Sequence, residues 1–281
     1  MKIFDENFIT SFMDYTKNRK PNFENILKVL NNEVPDRFTL FEFFLNDEFY
    51  RILSGYESIP DNDTDLLRMK IKAFAEAGYD YCTTRASNFR FPSNANNHGK
   101  KSMSVDSGAV IFDRKSYEQY IWPEPEDFDT SRLETLKHEL PEGMKFIIQG
   151  PNGVLENVML LVGYEGLCYL MADDPELVEE IFNQVGTRLV RYYELALQYD
   201  SVGACISNDD WGFSTQTMLS VPDMRKYVFK WHKKIVDVIH SAGRPAILHS
   251  CGQLSDVYDD IIFDIKYDGK HSYEDKIMPV E

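Results

Sequence analysis

The side chains best suited to chemistry gather in three short stretches of the carboxyl-terminal third. Pro245-Ala246-Ile247-Leu248-His249-Ser250-Cys251-Gly252 starts on a breaker, runs through three apolar residues and ends in an imidazole, a thiol and a glycine. Strand side chains alternate faces, so His249 and Cys251, two apart, point the same way. Imidazole nitrogen and thiolate sulfur are preferred zinc ligands, and a shared face lets both reach one ion. The competing account is a packed histidine beside a buried thiol, since free cysteine packs like a small hydrophobe. Asn208-Asp209-Asp210 closes the preceding strand candidate. Adjacent acids there face opposite ways, so one can act as acid or base or orient His249 while the other caps a helix or meets solvent. Alternation from the level of His249 assigns Asp210 to the cleft and Asp209 to the backbone or a neighbouring helix. His271-Ser272-Tyr273-Glu274 offers another imidazole and, in Glu274, an oxygen ligand beside His249 and Cys251; a solvated loop acid is the plainer account.

Elements that must position these groups are legible from periodicity. Phe8, Phe12 and Tyr15 recur at helical spacing, and Phe23, Ile26, Leu27 and Leu30 do so again, which makes residues 1–36 a helical extension ahead of a domain over 37–281. Strands are expected at 38–44, 79–84, 145–149, 201–207, 245–252 and 267–271. Helices are expected at 66–77, 131–139, 154–171, from Asp174 with Pro175 in its first turn, from Pro222, and at 257–263. The helix after Asp174 buries Leu177, Ile181, Val185 and Leu189, and that after Pro222 buries Met224, Tyr227, Val228, Trp231, Ile235 and Val238. Strands alternating with helices imply a parallel sheet with right-handed crossovers. Six such units fit an incomplete (β/α)8 barrel better than a doubly wound sheet, because no Gly-rich turn follows the first strand candidate. Two strand–helix units are missing from the count, which implies a truncated chain or closing strands supplied by a partner, as in a homodimer. The irregular stretch 85–107 is either a surface insertion or a loop over substrate, with Arg90 its candidate contact. Asn152, in the loop after the strand at 145–149, is a second.

The chain has 281 residues, 43 % of them apolar and 27 % charged, as in an ordinary globular protein. A net charge of −16 argues against nucleic acid or an anionic membrane as a partner, since both demand basic patches. The amino terminus lacks the apolar core of a signal peptide, and no run reaches transmembrane length. Four scattered cysteines without paired spacing read as free thiols in a reducing cytoplasm.

His249-Ser250-Cys251-Gly252, preceded by Ala242-Gly243-Arg244-Pro245, resembles the uroporphyrinogen decarboxylase superfamily. So do Asp209-Asp210-Trp211-Gly212-Phe213 through Gln216 and Leu219-Ser220, Gly150-Pro151, Gly163-Tyr164-Glu165-Gly166-Leu167 and Val34-Pro35-Asp36-Arg37. The resemblance implies a (β/α)8 barrel with its active cleft at the carboxyl ends of the strands, and it adds Gln216 to the substrate-binding candidates.

Two chemistries occur in that superfamily. The decarboxylases use no metal and bind propionates through arginines of an amino-terminal loop; here Phe44-Leu45-Asn46-Asp47-Glu48 carries none and would repel a polyanionic substrate. The other branch holds zinc through a His-x-Cys pair and a later cysteine, with a displaceable glutamate, and moves methyl groups to or from a corrinoid on a separate protein. The resemblance implies that His249 and Cys251 match the pair and Glu274, approximately, the glutamate. The later cysteine has no counterpart. A zinc-dependent methyltransferase acting on a small molecule or thiol and a corrinoid protein is therefore expected. The alternatives are a metal-free decarboxylase of a tetrapyrrole or related acid and a non-catalytic corrinoid or tetrapyrrole binder.

Overall fold

The structure is a computed structural model, and it describes residue 16 and residues 19–94, 108–274 and 276–277. In chain order, helices α1 (Glu24–Leu30), α2 (Asp47–Ser54) and α3 (Asp63–Glu76) precede strand β1 (Tyr81–Arg85). Helices α4 (Arg114–Gln119) and α5 (Arg132–Thr135) lead to β2 (Lys145–Gln149). Then come α6 (Val154–Val162), α7 (Tyr164–Asp173), α8 (Pro175–Ala196) and β3 (Val202–Asn208). Helix α9 is built from Val221–Asp223, a wider π-wound Met224–Phe229 and Lys230–Ser241. Strands β4 (Ala246–His249) and β5 (Gly269–His271) follow, with a second π-wound turn, Asp260–Ile265, between them.

The strands are hydrogen-bonded in chain order, β1-β2-β3-β4-β5. The pairs β3–β4 and β4–β5 are parallel, with Asn208 opposite His249 and His249 opposite His271. By its contacts the chain divides into two compact units. The first comprises residues up to Ala86, Thr130–Ile148 and Tyr199–Ala204; the second comprises Ser87–Asp129, Gln149–Gln198 and the chain from Cys205 onward.

In the first unit α3 buries Leu67, Ile71 and Phe74, one face of a helix, while Asn62 caps it by accepting from Asp65 N at 2.9 Å. Asp80, at the entrance to β1, is fully buried. Its Oδ1 accepts Asn22 N at 2.7 Å and ion-pairs with Arg37, whose Nη2 also donates to Lys20 O at 3.1 Å. A buried carboxylate needs such partners.

The strand expected at 38–44 does not form. Tyr81 Oη donates to Glu42 O at 2.9 Å, Glu42 N donates back to it, and Leu45 N donates to Tyr50 Oη at 2.8 Å. Two tyrosine hydroxyls therefore serve backbone groups that a ladder would otherwise pair, and Phe38 and Phe44 stay 83 % and 60 % exposed. The aromatic run has the composition of a strand, but among the described residues its backbone meets tyrosine hydroxyls in place of a ladder. Phe8, Phe12 and Tyr15 of the amino-terminal helical stretch lie outside the described residues; Phe23 and Ile26 are buried at the start of α1.

In the second unit α8 carries the expected stripe, Leu177, Ile181, Val185 and Leu189, all buried, and Asp174 caps it by accepting from Leu177 N at 3.0 Å. The single helix expected over 154–171 is two, meeting at 89°. The break falls at Gly163, whose φ of 81° is a backbone conformation that other residues rarely adopt. Val238 is only half-buried; the buried face of α9 continues through Val236 and Ile239 instead. The helix expected at 131–139 is only the one turn of α5, and that at 257–263 is replaced by a 3₁₀ turn, Ser255–Val257, and the π-wound turn after it. No single helix among the described residues is long and apolar enough to cross a membrane.

Arg37 is thus a structural residue. Replacing it with Met would leave Asp80 as a buried charge without its cation, and urea titration should show a loss of roughly 3–5 kcal/mol. A change below about 0.5 kcal/mol, the usual size for surface substitutions, would contradict this role.

Candidate metal centre

The candidate site stands on the carboxyl ends of β3 and β4. Asp209 N donates to His249 O at 2.9 Å, which continues the parallel pairing one residue past β3. Trp211 N donates to Ser250 Oγ at 3.1 Å, and Cys251 N donates to Asp210 Oδ1 at 2.9 Å. These bonds hold the two strand ends together, so the side chains of Asp210, His249 and Cys251 converge. One ligand atom from each lies within 4.8 Å of the other two, and all three residues are partly exposed.

One nitrogen, one sulfur and one oxygen is a donor set that zinc accepts. Tetrahedral zinc with ligands at about 2.0–2.3 Å sets those atoms roughly 3.3–3.5 Å apart, so the trio needs to close by up to about 1.5 Å. The residues fit the metal. Burial, with His271 beside it, lowers the His249 pKa against the opposing pull of Asp210, which favours the neutral, ligating imidazole. Burial, and after it the Asp210 carboxylate, pushes the Cys251 thiol up to about 11. Without a cation the thiol keeps its proton at neutral pH.

The two adjacent acids separate as alternation implies. Asp209 is fully buried and receives four donors: Glu156 N on Oδ1 at 2.9 Å, and Leu155 N (2.9 Å), Trp211 Nε1 (3.0 Å) and His232 Nε2 (2.8 Å) on Oδ2. Two of these are amides of the first turn of α6, where the helix dipole favours an anion. Gly153 lies so close that a Cβ there would meet Asp209 Cβ at 2.0 Å. His232, also fully buried, passes the network on through Nδ1 to Tyr267 Oη at 2.7 Å and Ser207 Oγ at 3.2 Å.

Glu274 is exposed, and its Oε1 accepts Gly252 N at 3.3 Å; it is outside the converging trio. His271 is inside hydrogen-bond range of His249. Lys270 Nζ donates to Ser272 O at 2.6 Å and Ser250 O at 3.3 Å, tying the loops after β4 and β5 together. Arg90 is exposed. Gln216 is exposed and offers its backbone carbonyl to Phe213 N at 2.8 Å. Asn152 sits in the loop after β2 with a φ of 65°. Sequence reasoning missed His232, although it stands four residues after Val228 and four before Val236 on the inner face of α9. A polar residue in that row is the signal.

Strands paired in chain order, helices between them and polar groups at the strands' carboxyl ends define an α/β fold of the TIM-barrel type. The chain matches the family model described as Uroporphyrinogen decarboxylase (URO-D) over residues 130–276, and it belongs to that family. Among solved structures it is similar to a methyltransferase from Methanosarcina mazei, with a TM-score of 0.66 and 13 % identity over 88 % of this chain and 74 % of that one. At that identity the likeness is one of fold. No curated protein matches in sequence.

A thiol with a pKa of about 11 holds roughly one part in a thousand as thiolate at pH 8. In metal-free protein, iodoacetamide followed by mass spectrometry should therefore modify the exposed Cys168 first. Alkylation of Cys251 should rise with pH toward 11, and Asp210→Asn should speed it at pH 8 by removing the neighbouring anion. Equal rates at Cys168 and Cys251 at pH 8 would contradict the assignment.

Proposed function

We propose that this chain is a zinc-dependent methyltransferase of the uroporphyrinogen decarboxylase family, moving a methyl group between a small molecule or thiol and a corrinoid carried by a separate protein. The observation that carries the reading is the convergence of Asp210, His249 and Cys251 at the ends of paired parallel strands. The shared fold with a protein titled a methyltransferase supports it.

Zinc, when bound, supplies a Lewis acid that keeps a thiol in its thiolate form near neutral pH. His249 gives it a neutral nitrogen, Cys251 a sulfur after loss of the thiol proton, and Asp210 an oxygen. Two anionic ligands balance the charge of a divalent ion. Glu274, one of the groups whose charge raises the Cys251 pKa, is the candidate for a ligand that substrate displaces. Asp209 has its donors already and positions Asp210 rather than exchanging protons. Arg90, Asn152 and Gln216 are substrate contacts in this reading, and each is accessible enough for that. A reducing cytoplasm is the compartment that suits the free thiols.

The full chain purified with zinc supplied should carry about one ion, since its three ligands complete the protein share of an open, catalytic-type site. Cys251→Ser and His249→Ala should each lose most of it by elemental analysis while circular dichroism stays unchanged, because His249 is the last residue of β4 and Cys251 lies past it. Wild-type protein without zinc would sink the reading and leave the metal-free decarboxylase in its place.

A further inference from the structure

A second imidazole stands beside the converging trio. His271 ends β5 and stands opposite His249 in the parallel register. Nδ1 of His249 lies 2.7 Å from Nδ1 of His271, with ring centroids 4.9 Å apart and planes 28° from parallel, so the two nitrogens meet edge to edge. Two ring nitrogens at that distance must share a proton, one donating and the other accepting. His271 is not among the residues whose ligand atoms converge within 4.8 Å, so it is a neighbour of the ligand set and not a member. A ligating histidine commonly donates its other ring N–H to an acceptor outside the coordination sphere, which fixes tautomer and ring orientation.

We propose that His271 is that acceptor, a positioning residue that receives the Nδ1 proton of His249 so that His249 presents the Nε2 lone pair to the metal. The inference rests on the metal-site reading above. Its proton count closes: His249 carries its proton on Nδ1, His271 carries its own on Nε2, and the ligating nitrogen carries none. The backbone holds the pair in place, since Ser250 N donates to His271 O at 2.8 Å. Charge explains why an imidazole stands here and not the commoner carboxylate. Cys251 as thiolate and Asp210 already neutralise a divalent ion and Glu274 stands nearby, so a carboxylate behind His249 would add a further anion with no cation to compensate it. A neutral ring orients His249 without adding charge.

His271→Phe keeps a ring beside His249 and removes the acceptor, whereas His271→Gln restores one. On the full chain, zinc affinity by chelator competition should fall about 10–100-fold in His271→Phe and recover most of that loss in His271→Gln. Cobalt substituted for zinc should keep its thiolate charge-transfer and ligand-field bands in both variants, and the thermal midpoint of the metal-free protein should not move. An affinity in His271→Phe within about threefold of wild type, well short of what losing an outer partner costs, overturns the proposal. So do cobalt bands that show a lost nitrogen ligand, which would make His271 a ligand itself. Should His271→Phe fail to fold, nitrogen NMR of the zinc-loaded wild type decides. A protonated Nδ1 and a metal-bound Nε2 on His249 support the proposal, and the reverse overturns it. Wild type that binds neither zinc nor cobalt would instead bring down the metal reading, and this with it.

Discussion

The carboxylate of Asp209 is the fixed point of the second unit. It has no exposure to solvent, and its cost of desolvation is offset by four hydrogen bonds and by the amino-terminal end of α6. Those four donors come from three places: the first turn of α6, the loop after β3, and α9. Leaving any one of them unmet in the interior costs ~1–3 kcal/mol, so the elements are strongly held in one arrangement. His232 extends the same network to Tyr267 before β5 and back to Ser207 within β3. The backbone on either side of Asp209 is thereby set before any ligand arrives.

That rigidity matters because the neighbouring residue does the chemistry. With Asp209 and Trp211 both anchored, Asp210 has little freedom, and its Oδ1 meets Cys251 N on the next strand end. The bond from Asp209 N to His249 O fixes the third member at the same level. A metal site whose ligands sit on paired strand ends, supported from below by buried polar groups, needs little reorganisation to bind. The raised thiol pKa of Cys251 is the counterpart of this arrangement: an anion is placed beside a thiol, and a cation is what would relieve it.

Much of this was legible in the sequence where the information is local. Period-two alternation put His249 and Cys251 on one face and split Asp209 from Asp210. Period 3.6 marked α8 and its stripe, and four strands fell within two residues of their expected ends. Local pattern fails where the partner is distant. The aromatic run at 38–44 reads as a strand until the hydroxyls of Tyr81 and Tyr50 are seen to take its backbone bonds. The long apolar helix after β2 reads as continuous until Gly163 turns it. His232 sits inside a helix pattern that reads as apolar, and its bond to Asp209 spans 23 residues. The pairing of His249 with His271 depends on the register of β4 with β5, which periodicity does not supply.

X-ray absorption at the zinc edge of the wild-type chain tests the central claim most directly, because it counts donor atoms by type. The account predicts one sulfur at about 2.3 Å and nitrogen or oxygen neighbours at about 2.0–2.2 Å completing a four-coordinate shell. Absence of zinc, or a shell with two sulfurs, would contradict a site built from Asp210, His249 and Cys251.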